Sequence, residues 1–212
     1  NGSGKSTMVK ILAGLVKPNA GEILIDGEPV TINSGEDARR LGISAALQDL
    51  SLVPTMSVVD NILLGVEPMG RLGMVDRKKS LEDVMALLER LHVDCDPEVY
   101  VQTLMPSAQS MVEVAKAVYM KPRLLLLDEV TAALHRDEVE VLFELLHELK
   151  AQGTAIVYVT HRMSEMFEIC DTATIMRSGE TVADVKTSEV TLDEIVYYMT
   201  GQRPEAEAAH EA

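Results

Sequence analysis

Cysteine, basic charge and long apolar runs are all scarce in this 212-residue chain, and each scarcity closes off a class of protein. Its two cysteines, Cys95 and Cys170, lie far apart with no Cys/His cluster beside either, which argues against a disulfide framework or a zinc site. They read as ordinary thiols in a reducing compartment. Nineteen Lys and Arg against 34 Asp and Glu leave a formal net charge of −15. No nucleic acid is expected as a main partner, because phosphate backbones recruit basic surfaces; a partner embedded in a membrane is left open. No apolar run approaches the roughly 20 residues that span a bilayer, and no charged-then-apolar leader is visible, so the expectation is a cytosolic protein. Repeats and low-complexity tracts are missing as well. The length suits one continuous globular unit, about 1–200, followed by a polar, acidic tail or linker start at 201–212, "GQRPEAEAAHEA".

What is present begins at the first residue. "NGSGKST" supplies the end of the phosphate-loop pattern G-x-x-x-x-G-K-[ST] through Gly4, Lys5 and Ser6. The pattern's first glycine would precede Asn1, so the chain is expected to be a fragment whose boundary falls inside the loop. Such a loop aims successive backbone N–H groups at phosphate oxygens, and the next helix adds its positive end. Lys5 would reach the β- and γ-phosphates, and the Ser6 hydroxyl would be a Mg²⁺ ligand. Gly, Ser and Asn are also ordinary linker and cap residues. Against that plainer reading stands "MVKILAGLV", apolar with helical period, where Met8, Ile11, Leu12 and Leu15 are spaced to face a core.

Farther on, "EILIDGEPVTI" reads as a hairpin turning at Asp26 and Gly27, "DARRLG" as a short helix and "ISAALQ" as a buried strand. From about 58 to 117 the pattern is helical, most clearly where Leu81, Val84, Met85, Leu88 and Leu91 share a face. "RLLLLDE" and "TAIVYVTH" are apolar strands flanking the helical "DEVEVLFELLHELKAQG", a βαβ unit whose strands belong in a parallel sheet. "TATIMRSGETVADV" reads as a late hairpin, and Thr191 and Glu194 form a capping box for a last helix. The expected fold is α/β, with a parallel core sheet, an antiparallel β element and an inserted helical lobe.

In α/β sheets the carboxyl edge carries the ligand. Asp128 and Glu129 end one strand there; Asp128 would hold Mg²⁺ through its water shell, and Glu129 would deprotonate an attacking water. An acidic pair also suits a solvated helix start, so its meaning depends on Lys5. His161 emerges on the same rim, within reach of a γ-phosphate, although a lone histidine after a strand is more often just exposed. Gln48 would take a third rim position, its amide contacting Mg²⁺ or the lytic water.

These rim residues, in this order and with helices inserted between Gln48 and Asp128, resemble the ATP-binding cassette (ABC) family over essentially the whole chain. The resemblance implies a P-loop NTPase using ATP and Mg²⁺. Walker A is then Asn1, Gly2, Ser3, Gly4, Lys5, Ser6 and Thr7; the metal residues are Ser6, Gln48 and Asp128; the catalytic residues are Glu129, His161 and Gln48. "LSLVPTMSVVDNILLG", "MVEVAKAV" and "THRMSEMFEICD" are most similar to the first cassette of tandem ATPase subunits of bacterial ribose, galactose and xylose importers. That kinship implies a second cassette and membrane permeases as partners, a periplasmic or extracellular binding protein indirectly, and a peripheral place on the cytoplasmic membrane face. A low-activity half of an asymmetric pair, or import of a nucleoside or autoinducer, are the alternatives. One segment departs from the family: its signature, which the resemblance implies would face the ATP held by the partner cassette. Where it has "LSGGQ" or "LSVGQ", this chain has Leu104, Met105, Pro106, Ser107 and Ala108, with Gln109 one place late, so the serine hydroxyl is replaced by Met105 and a glycine by Ser107.

Overall fold

The computed structural model describes residues 2–48 and 51–202. Asn1 and most of the expected acidic tail, 203–212, lie outside these.

Helix α1 (Lys5–Leu12) begins at Gly4 and leads to a hairpin, β1 (Ile23–Ile25) and β2 (Glu28–Val30). The hairpin turns on Asp26 and Gly27, both left-handed at φ 53° and 83°, the pair of angles whose twist matches that of the strands they join. Helix α2 (Gly35–Arg40) starts earlier than expected because the Ser34 hydroxyl accepts the Asp37 N–H and caps it. Strand β3 (Ile43–Ala46) follows, then α3 (Val58–Leu63), α4 (Arg77–Arg90) and α5 (Pro106–Tyr119). The second half alternates β4 (Leu124–Asp128), α6 (Arg136–Ala151), β5 (Ala155–Val159) and α7 (Met163–Ile169). A hairpin of β6 (Thr172–Arg177) and β7 (Glu180–Lys186) and a capped helix α8 (Leu192–Thr200) complete the described chain.

Strands β3, β4 and β5 make a parallel sheet in that order, with β4 in the middle. Alternation along β4 sends its leucines to opposite faces. Leu125 and Leu127 join Ile62, Val84, Met111 and Leu142 in one cluster, while Leu126 joins Val9, Ile43 and Val159 in another. All three are fully buried, each contributing about 1.5–3 kcal/mol, which explains a strand of uninterrupted leucine. The inserted helices share the first of these clusters with the sheet and α6.

Two apolar faces differ from expectation. On α1 the buried residues are Val9 and Ala13, whereas Leu15 is 58% exposed. Gly14, at φ 74°, ends the helix too soon for Leu15 to continue the stripe, and Met8 instead lines a groove between β5 and β6. On α4 the buried set is Val84, Leu88 and Leu91; Met85, one step round the helix from Val84, is exposed.

Candidate active site

Gly2 and Gly4 hold φ angles of 87° and 95°, conformations that cost a side-chain-bearing residue energy and that bend the loop into a cradle. Gly4 occupies the N-cap of α1, so the first-turn N–H groups at Lys5, Ser6 and Thr7 lack helical acceptors and point outward with the helix dipole behind them. Gly2 to Thr7 line a cleft of about 240 Å³ together with Gln48 and Glu129. The Lys5 ammonium reaches back to the Ser3 hydroxyl at 2.9 Å, which keeps it over the loop.

Across the cleft the Ser6 hydroxyl donates to Asp128 Oδ1 at 3.2 Å. Asp128 is 1% exposed. Burial pushes its carboxyl above the usual range; the Ser6 hydrogen bond opposes the shift, Glu129 adds to it, and Lys10 and Lys5 pull back. A buried carboxylate beside a hydroxyl is a set of hard oxygen donors, and these residues fit Mg²⁺. No cluster of three or more His, Cys, Asp or Glu occurs among the described residues, so a cation here would complete its shell with substrate oxygens and water.

Glu129 is the next residue and has a left-handed backbone, φ 52°, rare for a side chain of its kind and worth about 1–2 kcal/mol of strain. Its N–H still donates to Val159 O at 3.0 Å, so the kink comes where β4 leaves the sheet. The side chain enters the cleft, with Oε1 3.4 Å from Nδ1 of His161, which follows β5. The structure thus brings Gly2 to Thr7, Gln48, Asp128, Glu129 and His161 to one rim, as the strand ends would require.

It does not bring the Leu104–Ala108 segment there. Met105 is the N-cap of α5, 71% exposed, with no side-chain cap, and Pro106 is the first helical residue. None of the five lines the cleft. The Gln109 amide donates to Leu104 O at 3.0 Å and so is turned back on its own loop.

Glu165, which the sequence does not single out, is 5% exposed on α7, and its carboxylate accepts from Thr131, Tyr158, Thr160 and Arg162. An acidic residue beside Met166 in the buried part of a short helix must have partners, and that burial is visible only once the helix is placed.

Residues 1–132 match the ABC transporter family. The chain belongs to that family. Among curated relatives it is 45% identical over 202 residues to a putative ribose/galactose/methyl galactoside import ATP-binding protein of Burkholderia cenocepacia, covering 95% of this chain and 38% of that one. It is 42% identical to a ribose import ATP-binding protein of Hahella chejuensis, covering 96% of this chain and 40% of the other. The chain therefore spans about two fifths of the length of these relatives. Among solved structures, a dimeric bacterial ABC transporter cassette superposes with a TM-score of 0.76 at 22% identity, covering 88% of this chain and 82% of that one. The α/β fold of the ABC cassette is common to both.

Proposed function

We propose that this chain binds and hydrolyses ATP as a cassette of a bacterial importer for a monosaccharide or related carbohydrate. The observation that carries this reading is the pairing of Glu129 with His161 at 3.4 Å on the wall of the phosphate-loop cleft. The N–H groups of the loop and Lys5 hold the β- and γ-phosphates. Ser6, Asp128 and Gln48 would hold Mg²⁺, which supplies positive charge against the phosphate oxygens. Glu129 takes a proton from the water that attacks the γ-phosphorus; the new O–P bond forms as the bond to the β–γ bridging oxygen breaks, releasing ADP and phosphate. His161, held against Glu129, orients that carboxylate and contacts the γ-phosphate.

The names of the relatives support ribose or galactose-type cargo. The partners in this reading are a second cassette, membrane permeases and, indirectly, a binding protein outside the membrane. The working place is the cytoplasmic face, and no helix among the described residues is long and apolar enough to cross a membrane. A second reading, a slow nucleotide-binding half of an asymmetric pair, is favoured by Met105, which offers no hydroxyl at the signature position.

Replacing Glu129 with Gln in the full-length protein tests the main reading. General bases contribute about 10²–10⁴-fold, so steady-state hydrolysis should fall by that factor while ATP stays bound. Near-normal turnover would remove Glu129 from the mechanism.

A further inference from the structure

We propose that Glu165 is a positioning residue that sets His161 against Glu129; this rests on the hydrolytic reading above. Three hydroxyls converge on one oxygen of its buried carboxylate: Thr160 at 2.7 Å, Tyr158 at 2.9 Å and Thr131 at 3.1 Å. Arg162 donates to the other oxygen at 3.2 Å. These donors come from the two segments that carry the reacting side chains. Thr131 lies two residues beyond Glu129, and Thr160 and Arg162 flank His161 directly. The Arg162 N–H also donates to the Thr160 hydroxyl at 2.9 Å, closing a turn around the histidine.

His161 itself is mostly exposed, its side chain 60% accessible, so packing does little to hold its ring. The backbone on both sides of it must do so instead. One carboxylate ties that backbone to the strand exit that presents Glu129, and a buried acceptor with four donors is rigid because releasing any of them costs about 1–3 kcal/mol. Hydrogen bonds that orient the ligands of metal sites cost about 10–100-fold in affinity or activity when removed, and an effect of that order is expected for a carboxylate that orients a reacting side chain.

Burial of a satisfied carboxylate in α7 for stability alone predicts something different. Loss of Glu165 would then lower stability and ATP affinity, and its effect on rate would be independent of His161. The experiment is a double-mutant cycle in the full-length protein, reading kcat, KM for ATP and the affinity for a fluorescent N-methylanthraniloyl ATP. Glu165→Ala should lower kcat about 10–100-fold with ATP affinity within about twofold. Added to His161→Ala, it should slow the enzyme less than about threefold further, because both changes remove the same interaction. Thr160→Val serves if Glu165→Ala folds poorly; it removes one hydroxyl at similar volume and should lower kcat about 3–10-fold, again without adding to His161→Ala.

If wild-type protein neither binds the analogue nor hydrolyses ATP, the proposed function fails. If it turns over normally but the double variants are slower by the product of the single effects, or ATP affinity falls as far as kcat, the role assigned to Glu165 is overturned and the function stands.

Discussion

The rim of the parallel sheet and the N-terminal end of α5 both offer helix-terminal N–H groups, yet only the rim surrounds them with chemistry. On the rim the sheet register does the positioning: Asp128 pairs with Val159 and Leu127 with Ala46, so the strand ends deliver Gln48, Asp128, Glu129 and His161 at one level. At the start of α5 the helix dipole is intact, since Pro106 gives up an N–H that would be unpaired anyway. The side chains are what is missing, because Met105 is an exposed thioether where a hydroxyl would cap and donate. On the proposed reading, the backbone part of a phosphate site is a property of the fold, and the side-chain part is a separate, removable layer.

The largest expected contrast is between single truncations in the two regions. Lys5→Ala removes a charge-assisted contact to phosphate and should weaken ATP binding roughly 10–100-fold, whereas Met105→Ala, which removes no donor, should leave it within about twofold. Fluorescent-analogue titration measures both, and equal losses would erase the distinction between the regions.

Rebuilding the missing layer is the next test. If, as the proposed function has it, the signature segment of this chain faces ATP held by a partner cassette, Met105→Ser with Ser107→Gly should speed hydrolysis at the opposite site. One donor to developing phosphate charge is worth about 10²–10³-fold, of which a grafted donor should recover at least about tenfold. The reading is single-turnover hydrolysis with the Glu129 site silenced by Glu129→Gln, in a pair whose partner keeps its own base. Appreciable turnover before any repair would make "LMPSA" a working signature as it stands.

The strands, both hairpins and the capping box of α8 were legible because each rests on local chemistry: leucine runs, a turn with Asp-Gly, a Thr and Glu three apart. Placement of the rim residues was legible for a different reason, since strand ends of a parallel sheet must share an edge. The faces of α1 and α4 were not, because where a helix ends and which neighbour it meets are tertiary facts; Gly14 stops α1, and Met85 lies just outside the stripe that α4 buries. Glu165 was hidden by its type, as a charged residue is read as surface unless its helix face is already known.

Whether the two regions are independent turns on the segment after Gln48. Asn61, fully buried on α3, accepts the Val53 N–H at 2.6 Å and donates to the carbonyls of Val53, Ser57 and Met56. Asn61→Ala strands these groups and should cost about 2–3 kcal/mol in denaturant unfolding. A loss below about 0.5 kcal/mol would mean that the loop holds its shape without Asn61.

The smallest effect belongs to Glu113, 1% exposed on α5, which accepts from Ser51 through its N–H at 3.1 Å and its hydroxyl at 2.8 Å. It ties α5, the helix that Met105 precedes as N-cap, to Ser51 in the segment after Gln48. Burial pushes its carboxyl above the usual range, while the Ser51 hydroxyl, the Lys116 charge and the backbone N–H groups of Ser51 and Leu47 oppose the shift. Lys116 donates to Ser51 in turn, with Arg39 acting on it from beyond. Because the folded state raises this acid's pKa, its favourable contribution is complete below the ordinary carboxylate range and is lost as pH rises through the raised value. Glu113→Gln cannot ionise, so whatever fixed loss it suffers at Ser51, its stability relative to wild type should climb as pH goes from about 4 to about 7. Denaturant unfolding of both proteins at several pH values reads this slope directly. A constant difference across the range would show that Glu113 ionises as easily folded as unfolded, and that its hydrogen bonds to Ser51 hold the charged carboxylate at no cost.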